Sequence, residues 1–456
     1  MVRTHCGHKA RTHVIPATLL MIVAASPFAI SADAQTGGIL SATTASRGRT
    51  DLVLADVYRL AAANPRVAAA TAVAQATQAR VASARRPSDP EIQLGFMNRS
   101  LPSLAPMDPL GMTQLQVMQM IPAPGKLRLA GRIAAENAAA AQARVGDVRW
   151  DVRARAAMTF YDLYASDAQL DIARQTKRLV QEIAKVSQVM YSVGNGKQAD
   201  VLRAQVEVAR MTEDITRMES MRASMAGRLI AILGLQEGAV LATPTLPDFP
   251  EALPPLIELT EEALRNRPMI AAGERELAAA GAGQRLARKE IWPDLQVGVQ
   301  YGWRGGAMGT ERMGSLMLGA TVPVYARSRQ LRMREEADAM RAMSAADLAA
   351  MRAETRGRMT ELYADFAKAK NLRTLYRTTV LPQAEGAVTA SFAAYRVGDV
   401  NLMTLLDNQM TVNRYRQQVI ELEAEQGKAI AEIEMLLGRE LFNAARATAL
   451  NTRTER

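Results

Sequence analysis

The sequence holds one cysteine and three histidines among 456 residues, and all four lie at the very start, as Cys6, His5, His8 and His13. From there on no disulfide, no Cys/His zinc site and no Ser-His-Asp or Cys-His triad can be assembled, and there is no imidazole for acid-base work. A catalytic reading survives only through carboxylate pairs, and the expectation is a chain that performs no reaction and carries neither cofactor nor metal centre. Aromatic residues are scarce at 4%. Alanine and methionine take their place, a mixture that favours long helices packed closely together. After the first 34 residues no apolar run is long enough to cross a bilayer as a helix, so a membrane role would have to use strands.

Residues 1–34 read as a secretory signal peptide: Arg3, Lys9 and Arg11 precede an apolar run from Val14 to Ile30, and Ala32-Asp33-Ala34 is the small-x-small pattern before a cleavage point. Pro16 and Pro27 within the run argue against a membrane helix. Cleavage would remove the cysteine and every histidine, and no cysteine stands at the cut to accept an acyl anchor. The formal charge of +10 raises the question of nucleic acid. The Lys and Arg are scattered among Glu and Asp without interleaved aromatics, so they read as solvated helix surface and no nucleic-acid partner is expected.

What is present is a duplication. "YSVGNGKQADVLRAQ" at 191–205 reappears as "YRVGDVNLMTLLDNQ" at 395–409, 204 residues on. Ile232-Leu233-Gly234 recurs at the same offset as Leu436-Leu437-Gly438, and "PEIQLG" at 90–95 recurs as "PDLQVG" at 293–298. Landmarks that keep one offset mark a repeated structural unit. Each copy reads helix, strand, strand, very long helix, Gly-containing turn, helix. The expected organisation is an N-terminal extension over 35–50, a first repeat over 51–237, a linker over 238–257, a second repeat over 258–440 and a tail over 441–456.

The strands alternate with period two. Leu295, Val297, Val299, Tyr301 and Trp303 share one face, while Gln296, Gly298, Gln300 and Gly302 share the other; Leu316, Leu318, Ala320 and Val322 oppose Ser315, Met317, Gly319 and Thr321. Segments 91–98 and 112–120 repeat the pattern less regularly, and 99–111 and 304–313 read as inter-strand loops. Each segment is close to the about 9 to 11 residues that a tilted membrane strand needs. Four strands cannot close a barrel, and an open edge in lipid costs several kcal/mol per unpaired backbone group. The chain must therefore oligomerise to span a membrane; this argument alone allows a dimer with eight strands or a trimer with twelve. Met112, Met118, Met120, Met308, Met313 and Met317 gather around these strands and read as pliable gap-fillers rather than as soft-metal ligands.

The long helix is expected over 126–193, free of proline. Its return partner carries two interleaved heptad series, Val201, Val208, Ile215 and Leu229 with Met211, Met218, Met225 and Ile232. The second copy matches them with Leu405, Val412, Val419 and Ile433, and with Tyr415, Leu422 and Leu436, so each hairpin reads as a coiled-coil seam. Pro382 has no counterpart at Arg178 and predicts a kink or break near Leu381.

These residues resemble the outer membrane factor family, the TolC-type channels of tripartite efflux pumps and type I secretion systems. The likeness rests on the duplicated helix-strand-strand-helix-helix unit, the Y-x-V-G turns, Leu405-Leu406-Asp407 and the Leu-Gly pair ending each half. It implies a mainly α fold with a small β part: a homotrimer whose twelve strands form one outer membrane β-barrel of a Gram-negative bacterium, continued by a periplasmic α-helical coiled-coil barrel. It implies docking of a periplasmic adaptor at Tyr191, Val193, Gly194, Asn195, Val397, Gly398 and Asp399, and an inner membrane pump of the RND type behind the adaptor. It also implies a pore constriction at Asp200, Tyr395 and Asp407.

Two departures, Val400 where relatives often carry a basic residue and Thr404 where they carry an acid, put the family's ion-pair lock in question, with Arg396 and Asp399 as substitutes. "IPAPGKLRLAG" at 121–131 is similar to a segment common in the heavy-metal cation branch, which points to metal cations as cargo. The other readings are drug efflux or type I protein secretion and, outside the family, a secreted coiled-coil structural protein. Neither Gly125-Lys126 nor Gly196-Lys197 fits a phosphate loop.

Overall fold

The computed structural model describes residues 51–100, 102, 111–236, 238–306 and 309–441. The expected signal peptide, the extension over 35–50 and all but the first residue of the tail lie outside them, as do Met308 and most of the loop over 99–111. The first copy runs β1 (Asp51–Leu52), α1 (Leu54–Ala61), α2 (Pro65–Ala84), β2 (Glu91–Met97), β3 (Met112–Ile121), α3 (Lys126–Ser192) and α4 (Gln198–Leu233). The second runs β4 (Thr243–Pro244), α5 (Leu256–Asn266), α6 (Pro268–Lys289), β5 (Leu295–Gly306), β6 (Gly309–Ala320) and α7 (Gln330–Leu375). A π-helical turn (Tyr376–Val380), α8 (Leu381–Val397) and α9 (Leu402–Leu437) complete it.

α3 is the spine of the molecule. Its 67 residues span about 100 Å at 1.5 Å per residue. So long a helix draws its stability from packing rather than propensity, and its two halves pack differently. Near its N-terminal end Ala141 and Val145 meet Ala74 of α2, and Arg144 pairs with Glu276 of α6. Towards its C-terminal end Val180 and Ile183 meet Ala204 of α4 and Leu402, Leu405 and Leu406 of α9. α2 and α6 each begin with a proline at the first helical position, Pro65 and Pro268, where the missing N–H costs nothing.

Between the two tiers lies a waist. Phe160 and Leu163 of α3, Leu229 and Leu233 of α4, and Leu54 and Val57 of α1 form its core. β1 and β4 join there as a short parallel pair, extended by the Thr245 amide donating to the Leu52 carbonyl at 2.9 Å. The start of the 238–257 linker is thus held against the first repeat. Gly427 of α9 lies over Tyr161, so close that a Cβ there would collide with the ring.

The four long strands form one antiparallel sheet in the order β2-β3-β5-β6. The expected loop over 304–313 is largely strand, because Arg304 pairs with Glu311 both in register and through an ion pair of 2.7 Å, and Gly305 and Gly306 continue the ladder to Thr310 and Gly309. The Pro382 expectation is met in altered form. The helix does not break; it widens to π geometry over Tyr376–Val380, the turn just before the proline. That widening accommodates a residue that lacks an N–H and whose ring would strike the carbonyl four residues back.

Candidate functional site

The sheet registers line side chains into rows. On one face Ile92, Val117, Val299 and Leu316 are direct neighbours across all four strands, and Leu94, Leu115 and Tyr301 form the next row. These apolar residues are open to the surroundings: Ile92 is 71% and Leu316 69% exposed. The opposite face carries the row Gln93, Gln116, Gln300 and Ser315, with Gln300 donating to Gln114. The methionines named above that fall on described residues share this polar face; Met118 and Met317 close over Gly298, and the Met112 sulfur lies over Gly302. Trp292 at one end and Phe96, Tyr301 and Trp303 towards the other present exposed rings, as at the two interfaces of a membrane. No helix among the described residues is long and apolar enough to cross a membrane. β2 and β6 each pair on one side only, so the sheet has two open edges.

The sheet joins the helical part through Lys126, the lysine of "IPAPGK". Its side chain is only 7% exposed, and Nζ lies 2.9 Å from Asp294 Oδ1 and 3.2 Å from Glu290 Oε2 while donating to the Trp292 carbonyl at 3.1 Å. Asp294 also accepts from the Ala123 amide at 2.7 Å. Burial alone would lower the lysine pKa, but the bonds to Asp294 and Glu290 together outweigh it and hold it above the ordinary value. The segment thus clamps the start of α3 to the turn before β5. Sequence reasoning took it as a cargo signal and missed this role; the signal that could have found it is the pair of acids flanking Trp292-Pro293, one repeat onward from "PEIQLG".

At the far end the two hairpin turns are built alike. Gly194 and Gly398 take left-handed backbone angles, φ +80° and +83°. The amides of Asn195 and Asp399 reach back to the carbonyls of Met190 and Ala394, and those of Gly194 and Gly398 to Tyr191 and Tyr395. This double bond pattern is the Schellman cap, which needs the glycine. Tyr191 and Val193 at one tip and Val397 and Met403 at the other are exposed apolar side chains. Thr404 has a local duty: its amide and hydroxyl both donate to Asn401 Oδ1, at 2.9 and 3.0 Å, capping α9.

The sequence-predicted constriction residues fall in three different settings. Asp200 is half-buried in the first turn of α4, where the helix dipole favours its charge. Asp407 is exposed on α9. Tyr395 is buried, 6% exposed, among Val180, Ile183 and Leu405, and its hydroxyl donates to Ser187 Oγ of α3 at 3.1 Å. Ala204, one turn after Asp200, packs in one cluster with Tyr395, Leu405 and Leu406, the residue before Asp407, so the three positions border the same core. Among the described residues neither Asp200, Asp407, Arg396 nor Asp399 has an ion-pair partner.

Comparison with known proteins decides what this arrangement is. The family model for outer membrane efflux proteins matches residues 57–235 and 259–439. The chain belongs to the outer membrane efflux protein family. Members are channels and not enzymes. Over 314 residues, 66% of this chain and 70% of the other, it is 24% identical to the cobalt-zinc-cadmium resistance protein CzcC of Cupriavidus metallidurans. It is 26% identical over 301 residues to the pyoverdine export outer membrane protein OpmQ of Pseudomonas putida, spanning 61% of this chain and 60% of that one. Among solved structures, the outer-membrane channel OprN superposes with a TM-score of 0.73 at 20% identity, over 84% of this chain and 89% of that one. CusC follows at 0.70 and 16% identity, over 85% and 92%, and VceC of Vibrio cholerae at 0.72 and 15%, over 85% and 97%. The fold is that of the TolC-type outer membrane channels, a helical barrel carrying a β-barrel.

Proposed function

We propose that this efflux channel is the trimeric outer membrane exit duct of a tripartite system, fed by an RND-type inner membrane pump through a periplasmic adaptor, and that its cargo is heavy-metal cations. The observation that carries the reading is the sheet with an exposed apolar face, a polar face and two open edges. Three copies supply twelve strands, and edge-to-edge pairing of β6 with a neighbouring β2 satisfies every backbone group that lipid would leave unpaired. The exposed apolar tips Tyr191, Val193 and Val397, with Gly194, Asn195, Gly398 and Asp399, form the adaptor-docking ends.

In this reading Asp200 and Asp407 are repeated by symmetry into carboxylate rings that favour cations. Tyr395 acts as the latch between hairpins, since opening the mouth would break its bond to Ser187. Replacing Asp407 by Ala lowers cation preference in single-channel recordings; unchanged selectivity removes it from the gate. The likeness to CzcC favours metal cations as cargo. The likeness to OpmQ supports a second reading, export of a small organic molecule. Deletion of the gene separates them: sensitivity to cobalt, zinc and cadmium but not to dyes and detergents supports the first, and the reverse supports the second.

A further inference from the structure

A cleft of about 920 Å³ lies where the helices meet the sheet, lined by Arg85, Arg128, Arg132, Arg285, Arg288 and Lys289 and by no acidic side chain. Its apolar lining is Leu127, Leu129 and Ala135. Little within the protein offsets this charge. Arg132 approaches Glu136 only to 3.7 Å and Arg288 approaches Asp338 only to 4.0 Å, while Lys289 donates to the Pro124 carbonyl. Arg85, Arg128 and Arg285 have no carboxylate partner among the described residues.

Helix dipoles account for part of the cluster and not the rest. Arg85, Arg288 and Lys289 sit at the C-terminal ends of α2 and α6, where positive charge is favoured. Arg128 and Arg132 occupy the first two turns of α3, where the dipole opposes positive charge. Arg85 moreover lies across α3 at Gly131, a position where any Cβ would collide with it. The chain therefore gathers cations against both the dipole and their mutual repulsion, around one opening. A bound anion relieves both.

Depth indicates which anion. Arg128 lies two residues, about 3 Å, inside the start of α3, and Arg285 lies four residues, about 6 Å, inside the end of α6. Four residues join β3 to α3 and five join α6 to β5, the exposed Trp292 among the latter. Lys289 stands three residues from Trp292, whose exposed ring suits a membrane interface, and the headgroup layer adds roughly 5 to 8 Å to each side of the hydrocarbon, which sets the cleft beside the lipid phosphates. We propose that the cleft binds the phosphate of an anionic phospholipid in the periplasmic leaflet, its acyl chains lying along the apolar face of the sheet. The proposal rests on the placement of the sheet in the outer membrane.

The test uses the purified full-length channel equilibrated with equal phosphatidylglycerol and phosphatidylcholine, with retained lipid read by native mass spectrometry. Assembly and conductance are recorded on the same samples, so loss of membrane insertion is seen separately from loss of lipid preference. Phosphatidylglycerol should be retained in at least about tenfold excess. The R128Q/R285Q variant should lose that preference, while R128K/R285K and the R86Q variant, altered outside the cleft, keep it. Equal retention of the two lipids by the unaltered protein overturns the proposal, as does a preference that survives R128Q/R285Q. Saturable binding of inorganic phosphate without any lipid preference also overturns it, giving the cleft to a soluble anion.

Discussion

α4 and α9 occupy equivalent positions in the two repeats and have 36 residues each, yet 5 residues of α4 are buried against 19 of α9. Their heptads are in register, so periodicity does not explain the difference; the number of neighbours does. α9 packs on α3, α7 and α8, in the middle of the wall, whereas α4 has α3 along its length and α1 only at the waist. Leu202, Val206 and Met221 on α4 are left exposed, the face that a neighbouring subunit would cover in the trimer proposed above. A duplicated unit thus yields one helix enclosed within the protomer and one whose outer face is left uncovered.

The strand-to-helix joints differ in the same sense, and there the largest effect is expected. Lys126 holds two acids and a carbonyl, while Gln330, 204 residues later, makes no such clamp. Lys126→Met should cost about 3 kcal/mol, since it leaves a part-buried acid pair uncompensated; Gln330→Met should change stability little. Thermal unfolding of the two variants checks this.

Next comes the close approach of α9 to α3. Gly427→Val should cost about 2 kcal/mol through overpacking against Tyr161. Ala223→Val, at the equivalent exposed position of α4, should be silent in the same unfolding assay.

The smallest contrast concerns one ion pair present twice. Arg174 meets Glu219 at 2.8 Å with the glutamate 50% exposed; Arg377 meets Glu423 with the glutamate 3% exposed. Tyr164 also donates to Glu423 at 2.9 Å, and burial, followed by the charge of Glu423, raises the tyrosine pKa. Glu423→Ala should cost about 1 to 2 kcal/mol because it leaves the tyrosine hydroxyl unpaired. Glu219→Ala should stay below about 1 kcal/mol. Equal costs would contradict the assignment of α9 to the wall interior.

Much of this architecture was legible in the sequence. α3 begins at Lys126 as expected and ends one residue early, because an unbroken Ala-rich run followed by a Gly turn leaves few alternatives. The alternation of Leu295 to Trp303 predicted the exposed apolar face correctly, since strand periodicity fixes facing. What was not legible depends on partners distant in sequence. The extension of β5 and β6 beyond residue 303 follows from a cross-strand pair, and the π turn from how a continuous helix adapts to Pro382. The clamp at Lys126 needs Asp294 and Glu290, more than 160 residues away. Tyr395 illustrates the limit most plainly: its enclosure by Val180 and Ile183 and its bond to Ser187, 208 residues away in sequence, depend on a distant helix.

The central claim is that a protomer with a four-stranded, open-edged sheet is one third of a membrane barrel. Native mass spectrometry of the channel extracted from the outer membrane tests it most directly. The account predicts a particle of three chains that dissociates only when the strands unfold. A stable, lipid-free monomer that remains soluble without detergent would contradict it.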